Sequence, residues 1–289
     1  MPLRYNFEAI ATDKELSKQI QVLLKNLDYL DSEADGNFGP VTGLALKTFQ
    51  LEQHCGEFDY IGPATAKKLI EAKTEDVAER PLLLGNDLPS RIVRYMQSQG
   101  YKIFQGSRYL NICYVEGMDA DGTPNPDKPN QFNDRRFVIQ VVSGIPSIVG
   151  NWEATTEPGS YYTYKPMNPA GAARIKFGQY RAWRVGTHGN ADPHEALVQV
   201  EPITVHRDFN KDFSRVGDSV ATGLFGINQH WGYDLDKNDI ENASAGCLVG
   251  RVRLQHREFM AIIKNDKRYM ANKAYTFYTT IIPGDQLAA

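Results

Sequence analysis

The chain has 289 residues, of which 42% are hydrophobic and 23% charged, and its formal net charge is −3. That composition fits an ordinary soluble globular protein long enough for two domains, and it argues against disorder and against membrane insertion, since no stretch approaches the roughly 20 apolar residues of a span. With no long basic run to neutralise a phosphate backbone, nucleic acid is not expected as a partner.

From Lys14 onward Leu16, Ile20, Leu23, Leu24 and Leu27 recur at steps of three and four, which predicts an amphipathic helix. The turn-forming run Asp35-Gly36-Asn37-Phe38-Gly39 ends it, and Pro40 stands where a first helical position belongs, ahead of Leu44, Phe49 and Leu51. Gly62-Pro63 repeats the device before Ala66, Leu69 and Ile70. Residues 1–75 therefore read as a three-helix bundle, residues 76–86 as a polar linker broken by Pro81, and residues 87–289 as a second domain.

In the second domain Leu88 to Gln99 reads as a helix stopped by Gly100. After it the period changes to two: 109–115, 137–142, 197–200, 225–230 and 275–281 are β-rich runs bounded by turn residues. One more helical pattern, with Leu254, Phe259, Ile262 and Ile263, lies between Val249 and Asn265. The fold class expected is α+β: a helical bundle followed by a mostly-β domain with one or two packed helices.

Cysteines stand at 55, 113 and 247, an odd and widely spaced set that predicts no disulfide framework and at least one free thiol. Cys55 and Cys113 read as buried. Cys247 follows the small residues Ser244-Ala245-Gly246, and His230 lies 17 positions upstream on an expected strand. A thiolate is the competent nucleophile and an imidazole its usual base, so Cys247 and His230 are the candidate catalytic pair, with the amides of Gly246 and Cys247 facing the developing oxyanion. His188, Asp192 and His194 form one rival constellation, a zinc site with a water in its fourth position. Asp208-x-Asn210-x-Asp212 begins like a calcium loop, but Phe213 occupies its glycine position and Ser219 its final glutamate position. No metal or other cofactor is expected.

The order of helix, Asp-Gly-x-Phe-Gly-Pro-x-Thr, helix ending in Phe-Gln, and Ile-Gly-Pro-x-Thr over residues 13–73 resembles the peptidoglycan-binding domain of wall hydrolases. The resemblance implies that peptidoglycan is the partner and that the groove by Asp35, Gly36 and Phe38 holds it. Further on, Val142-Ser143-Gly144, Thr155 to Gly159, Asn168-Pro169-x-Gly171, Gly226-Ile227-Asn228-Gln229-His230 and Ser244-Ala245-Gly246-Cys247 with Arg251 follow one another in order. This arrangement over residues 110–282 resembles the L,D-transpeptidase catalytic domain. It implies a thioacyl-enzyme reaction on stem peptides, with Ser244, Arg251, Trp231, His188 and Asn228 on the substrate side. Two departures stand out: Ala245 replaces the histidine before Gly-Cys, and Arg251 lies four positions after the cysteine rather than two. The N-terminus lacks the apolar run of a secretory signal, so a soluble chain reaching the wall or periplasm by lysis or dedicated export is expected. A wall-binding protein without turnover is the other reading the sequence leaves open.

Overall fold

The computed structural model describes residues 4–72 and 81–287. The chain divides between Pro81 and Leu82 into two compact units. Residues 76–80 of the expected linker lie outside the described residues.

In the first unit, α1 (Phe7–Thr12) and α2 (Lys14–Asn26) are both capped at their N-termini, by the side chains of Asn6 and Asp13, which accept from Ala9 and Leu16 amides. α3 (Pro40–Glu52) and α4 (Pro63–Glu71) instead begin with proline at the first turn after Gly39 and Gly62. Glu57 supplies the missing cap of α4 from outside the helix, accepting from the amides of Gly62, Ala64 and Thr65. Ile20, Leu24, Leu27, Phe49 and Leu69 of the predicted stripes meet in one core together with Leu46, whereas Leu51 and Ile70, expected on those stripes, are exposed. Beyond the expected three helices, α1 and a two-residue strand pairing, β1 (Tyr5–Asn6) with β2 (Tyr60–Ile61), complete the unit.

The second unit is built on a closed barrel of eight strands. They are β3 (Leu110–Glu116), β4 (Asp134–Val142), β5 (Ile145–Thr155), β7 (Gly178–His188), β8 (His194–Gln199), β11 (Gln229–Trp231), β12 (Leu248–Gly250) and β13 (Phe277–Pro283). Their order around the barrel is β11-β12-β5-β4-β3-β13-β7-β8. β3 is buried along its whole length because it is covered twice. Ile112 and Tyr114 point into the main core with Trp183 and Phe259, while Cys113 and Val115 pack under Ile92, Val93 and Met96 of α5 (Leu88–Ser98). A separate sheet of β6 (Ala172–Ile175), β9 (Ile203–Asp208) and β10 (Ser219–Gly223) runs in the order β10-β9-β6. The predicted C-terminal helix is α7 (Arg253–Lys264), preceded in the chain by the short α6 (Ser160–Tyr164), and Phe259, Met260 and Ile263 join the main core. The fold is α+β, as the sequence patterns imply. No helix of the described residues is long and apolar enough to cross a membrane.

Candidate active site

β11 and β12 are parallel neighbours with Gln229 opposite Leu248 and His230 opposite Val249. This register carries Cys247, the residue before β12, alongside Asn228, the residue before β11. The Leu248 amide donates to Asn228 O at 2.9 Å, and the Asn228 amide donates to Cys247 Sγ at 3.4 Å. The thiol in turn donates to Gly226 O at 3.7 Å. Cys247 and His230 both line a cavity of about 620 Å³, together with His188, Tyr162, Tyr233 and Ala245.

His230 is buried, and its Nδ1 donates to the carbonyl of Trp231 at 2.7 Å, which leaves Nε2 as the lone-pair nitrogen of a neutral ring. His188 stacks flat on it, with ring centroids 3.9 Å apart and planes 12° off parallel. Asn228 Nδ2 donates to His188 Nδ1 at 2.9 Å, its Oδ1 being occupied by the Gln199 amide, so His188 is fixed in the opposite tautomer. Burial, and then the neighbouring His188, hold His230 well below the ordinary imidazole range; burial and His194 lower His188. Two stacked imidazoles cannot both carry charge cheaply at this distance. Burial also raises the Cys247 thiol to about 11 against the opposing hydrogen bond from Asn228. The resting pair is therefore a neutral thiol and a neutral imidazole, with the proton transferred only when an electrophile arrives.

Several residues expected on the substrate side sit elsewhere. Trp231 lies outside the cavity, because successive side chains of a strand point to opposite faces and His230 takes the inner one. Its ring stacks on His194 at 3.8 Å, beneath the guanidinium of Arg253. Only its carbonyl serves the site. Arg251 is occupied: Nε donates to Glu153 Oε2 at 2.6 Å and Nη1 to Leu235 O at 3.2 Å, so it does not face the cleft. Ser244 is buried, its Oγ donating to Cys247 O and accepting from the Gly246 amide at 3.1 Å. The Gly246 amide is thus spent on the turn and is not an oxyanion donor. That leaves the Cys247 amide, which has no partner among the described residues. Asn228 acts through His188 and the thiol rather than by lining the cavity.

Trp183 is a core aromatic whose Nε1 donates to Ile227 O at 2.8 Å, pinning the loop before β11, and Tyr180 donates to Lys176 O. Cys113 is buried with its thiol raised to about 12, and Cys55 is buried too. Sequence patterns do not single out Arg207, Tyr162 or Tyr233, all of which line the cavity. They carry no motif, and only the pairing of β9 with β6, whose Ala173 carbonyl packs on Gly246, brings Arg207 there.

The zinc constellation does not fit. His188 Nδ1 is taken by Asn228, His194 Nδ1 by Asp192 O at 2.7 Å, and the Asp192 carboxylate by Arg253. Among the described residues no three His, Cys, Asp or Glu side chains converge as a metal would require. The Asp208 carboxylate accepts from the Asp212 and Phe213 amides, closing that loop on itself.

His256 lies behind the site, its Nε2 donating to Glu195 O at 2.9 Å and its Nδ1 accepting from Arg136 at 3.2 Å. Burial and then the Arg136 charge bring its pKa down to about 3. The unfolded chain therefore takes up a proton near the ordinary imidazole value while the folded chain does not, so stability is lost as pH falls below that value. Lowering the pH from about 6.5 to about 5 is expected to cost about 2 kcal/mol through this residue. All three tryptophans lie in this unit, so denaturant midpoints of the chain and of His256→Gln, followed by their fluorescence at the two pH values, measure it as a difference. A difference that does not change with pH would contradict a neutral buried His256.

Residues 13–69 match the family described as "Putative peptidoglycan binding domain". No curated protein sequence matches the chain. Among solved structures, the chain aligns with a fused Zn-dependent amidase/peptidase/peptidoglycan-binding domain-containing protein from Clostridium acetobutylicum ATCC 824, at 14% identity over 97% of this chain and 100% of that one, with a TM-score of 0.31. It also aligns with the L,D-transpeptidase (residues 123-326) from Xylanimonas cellulosilytica DSM 15894, at 16% identity over 92% of each chain, with a TM-score of 0.24.

Proposed function

We propose that the chain is a cysteine acyl-transfer enzyme of the cell wall: the first unit holds peptidoglycan and the second acts on its stem peptides. The observation that carries this reading is the parallel pairing of β11 and β12, which opens a thiol and a tautomerically fixed imidazole into one cavity. The order of landmarks from Ser143-Gly144 to Ser244-Ala245-Gly246-Cys247 supports the L,D-transpeptidase type of reaction.

The chemistry then runs as follows. Cys247 gives its proton to His230 Nε2 as Sγ bonds to the substrate carbonyl carbon. The C–N bond breaks, and the departing amine takes the proton from His230, leaving a thioester. Water or a second amine attacks that thioester, losing a proton to His230, and the sulfur leaves and is reprotonated. The acyl acceptor decides between hydrolysis and transpeptidation. Ala245, in place of a histidine beside the nucleophile, leaves that side of the cavity apolar and open to either acceptor.

Intact-mass measurement after incubation with a β-lactam tests the proposal. A single thioester adduct is expected on the unmodified chain and none on Cys247→Ala, together with loss of peptide release from purified sacculi. Sacculus digestion that persists in Cys247→Ala would sink the enzyme reading. Sacculus binding with no adduct and no release would favour a wall-binding protein, a reading supported by the thiol's hydrogen bond to Gly226 O in place of His230.

A further inference from the structure

Arg207 is the one permanently charged side chain among the described residues lining the cavity. It sits on β9, where Ile203, Val205 and Arg207 alternate onto one face and the first two join the apolar core. Its cross-strand partner on β6 is Ala173, whose carbonyl oxygen packs so closely on Gly246 that a side chain there would collide with it. One strand step therefore separates Arg207 from the turn that carries Cys247. The side chain is 8% exposed, its guanidinium lies over the Phe225 ring at 4.7 Å, and its nearest acceptor is Gly171 O at 3.5 Å. The other cations near the site are paired: Arg174 with Glu116 and Glu157, Arg215 with Glu116, Arg251 with Glu153. No carboxylate among the described residues pairs with Arg207.

A buried cation without a counter-charge is costly, and the cost is removed by a ligand that supplies the anion. A planar fork of donors in an otherwise uncharged cleft selects a planar anion that can accept two hydrogen bonds. We infer that Arg207 is the substrate-carboxylate anchor of this cleft, the role that the sequence pattern places on Arg251. The inference rests on the proposed action on stem peptides, whose carboxylates are the natural partners of such an anchor. With Arg207 on the β9 side and Cys247 on the β12 side, a peptide held by its carboxylate would cross the cavity over the stacked His188 and His230 rings. Arg207 touches substrate and sets specificity; it takes no part in the proton transfers.

The test uses the full chain carrying Cys247→Ala, so that binding is read without turnover, and three probes: the peptide D-Glu-L-Lys-D-Ala, its C-terminal carboxamide, and its form with the glutamyl carboxyl amidated. Calorimetry is expected to show at least a tenfold loss, on the order expected for a hydrogen-bonded charge, for one of the two amides. Which amide loses affinity tells whether the terminal or the side-chain carboxylate is the one held. Adding Arg207→Gln is expected to bring the acid and the amides to one weak affinity, whereas Arg251→Gln keeps the preference for the acid. Arg207→Lys keeps the charge but not the fork and is expected to retain a reduced preference, which serves if the glutamine variant fails to fold. Equal affinity for all three probes, binding of none of them at millimolar concentration, or a preference that survives loss of Arg207 would overturn the assignment. A preference without turnover in the unmodified chain would remove the enzyme reading and leave Arg207 standing; turnover without a preference would do the reverse.

Discussion

Replacing His230 with glutamine is expected to lower kcat/KM on stem-peptide substrates by about a thousandfold, within the usual range for removal of a positioned general base. The reason lies in the pair's resting state. Burial keeps the Cys247 thiol protonated far into the alkaline range, and no cation lies close enough to populate its thiolate. Reactivity must therefore come from His230 Nε2, presented by the bond from Nδ1 to Trp231 O. The pH profile separates this role from a structural one. With His230 held well below the ordinary imidazole range by burial and by His188, the acid limb of kcat/KM should fall below about pH 6.5. In the glutamine variant the residual rate should instead climb about tenfold per pH unit, following the small thiolate fraction. Stability should also fall on the acid side. The unfolded chain protonates His230 first as pH falls, so the native chain loses stability below about pH 6.5 at this position and the variant does not. A variant with native rates would remove His230 from the mechanism.

Gly246→Ala is the second large effect. The residue sits at φ +124°, in a region that side-chain-bearing residues rarely enter, and an added Cβ would meet the carbonyl oxygen of Ala173. Neither obstacle yields easily, since the collision is with backbone of β6 and the turn is locked by the Ser244 hydroxyl between the Gly246 amide and Cys247 O. A loss of about 3 kcal/mol or more is expected, in the range of strained-backbone and overpacking substitutions. Activity should fall even where the chain stays folded, because the turn that aims Sγ would shift. Denaturation midpoints read by tryptophan fluorescence, together with the rate of β-lactam acylation, check both halves; a variant as stable and as reactive as the native chain would contradict the turn geometry.

Much of the first unit is legible in the amino-acid sequence, because its helices are marked by caps, prolines and three-four spacing that act within a few residues. The α2, α3 and α4 starts at Lys14, Pro40 and Pro63 fall where those signals put them. β1 and α1 escape such signals because two-residue pairings and six-residue helices are held by tertiary contacts rather than by local preference. In the second unit the strands with continuous apolar runs are visible, whereas β6, β7, β9 and β10 are not: charged residues such as Arg174, which faces ion pairs, and Arg207, which faces the cleft, break the alternation. Cys247 and His230 are marked by their neighbours in sequence, and both line the cavity. Trp231 and Arg251 are misplaced by sequence patterns for a physical reason. Adjacency in a strand sends consecutive side chains to opposite faces, and a guanidinium goes to whichever carboxylate the fold brings near, here Glu153. Arg207 illustrates the converse, a cleft residue defined only by the pairing of β9 with β6, far in sequence from the motif.

The position of β13 has a consequence for biosynthesis. Of the described strands it is the last to be synthesised, yet it lies inside the barrel order, hydrogen-bonded to β3 on one side and β7 on the other. Until Phe277–Pro283 is available, β3 and β7 present open edges and the ring that holds β11 against β12 cannot close. The nascent chain thus carries the helices of the first unit long before it carries a closed barrel, and a product cut short before residue 277 would keep those helices without the strand that closes the barrel holding Cys247 and His230.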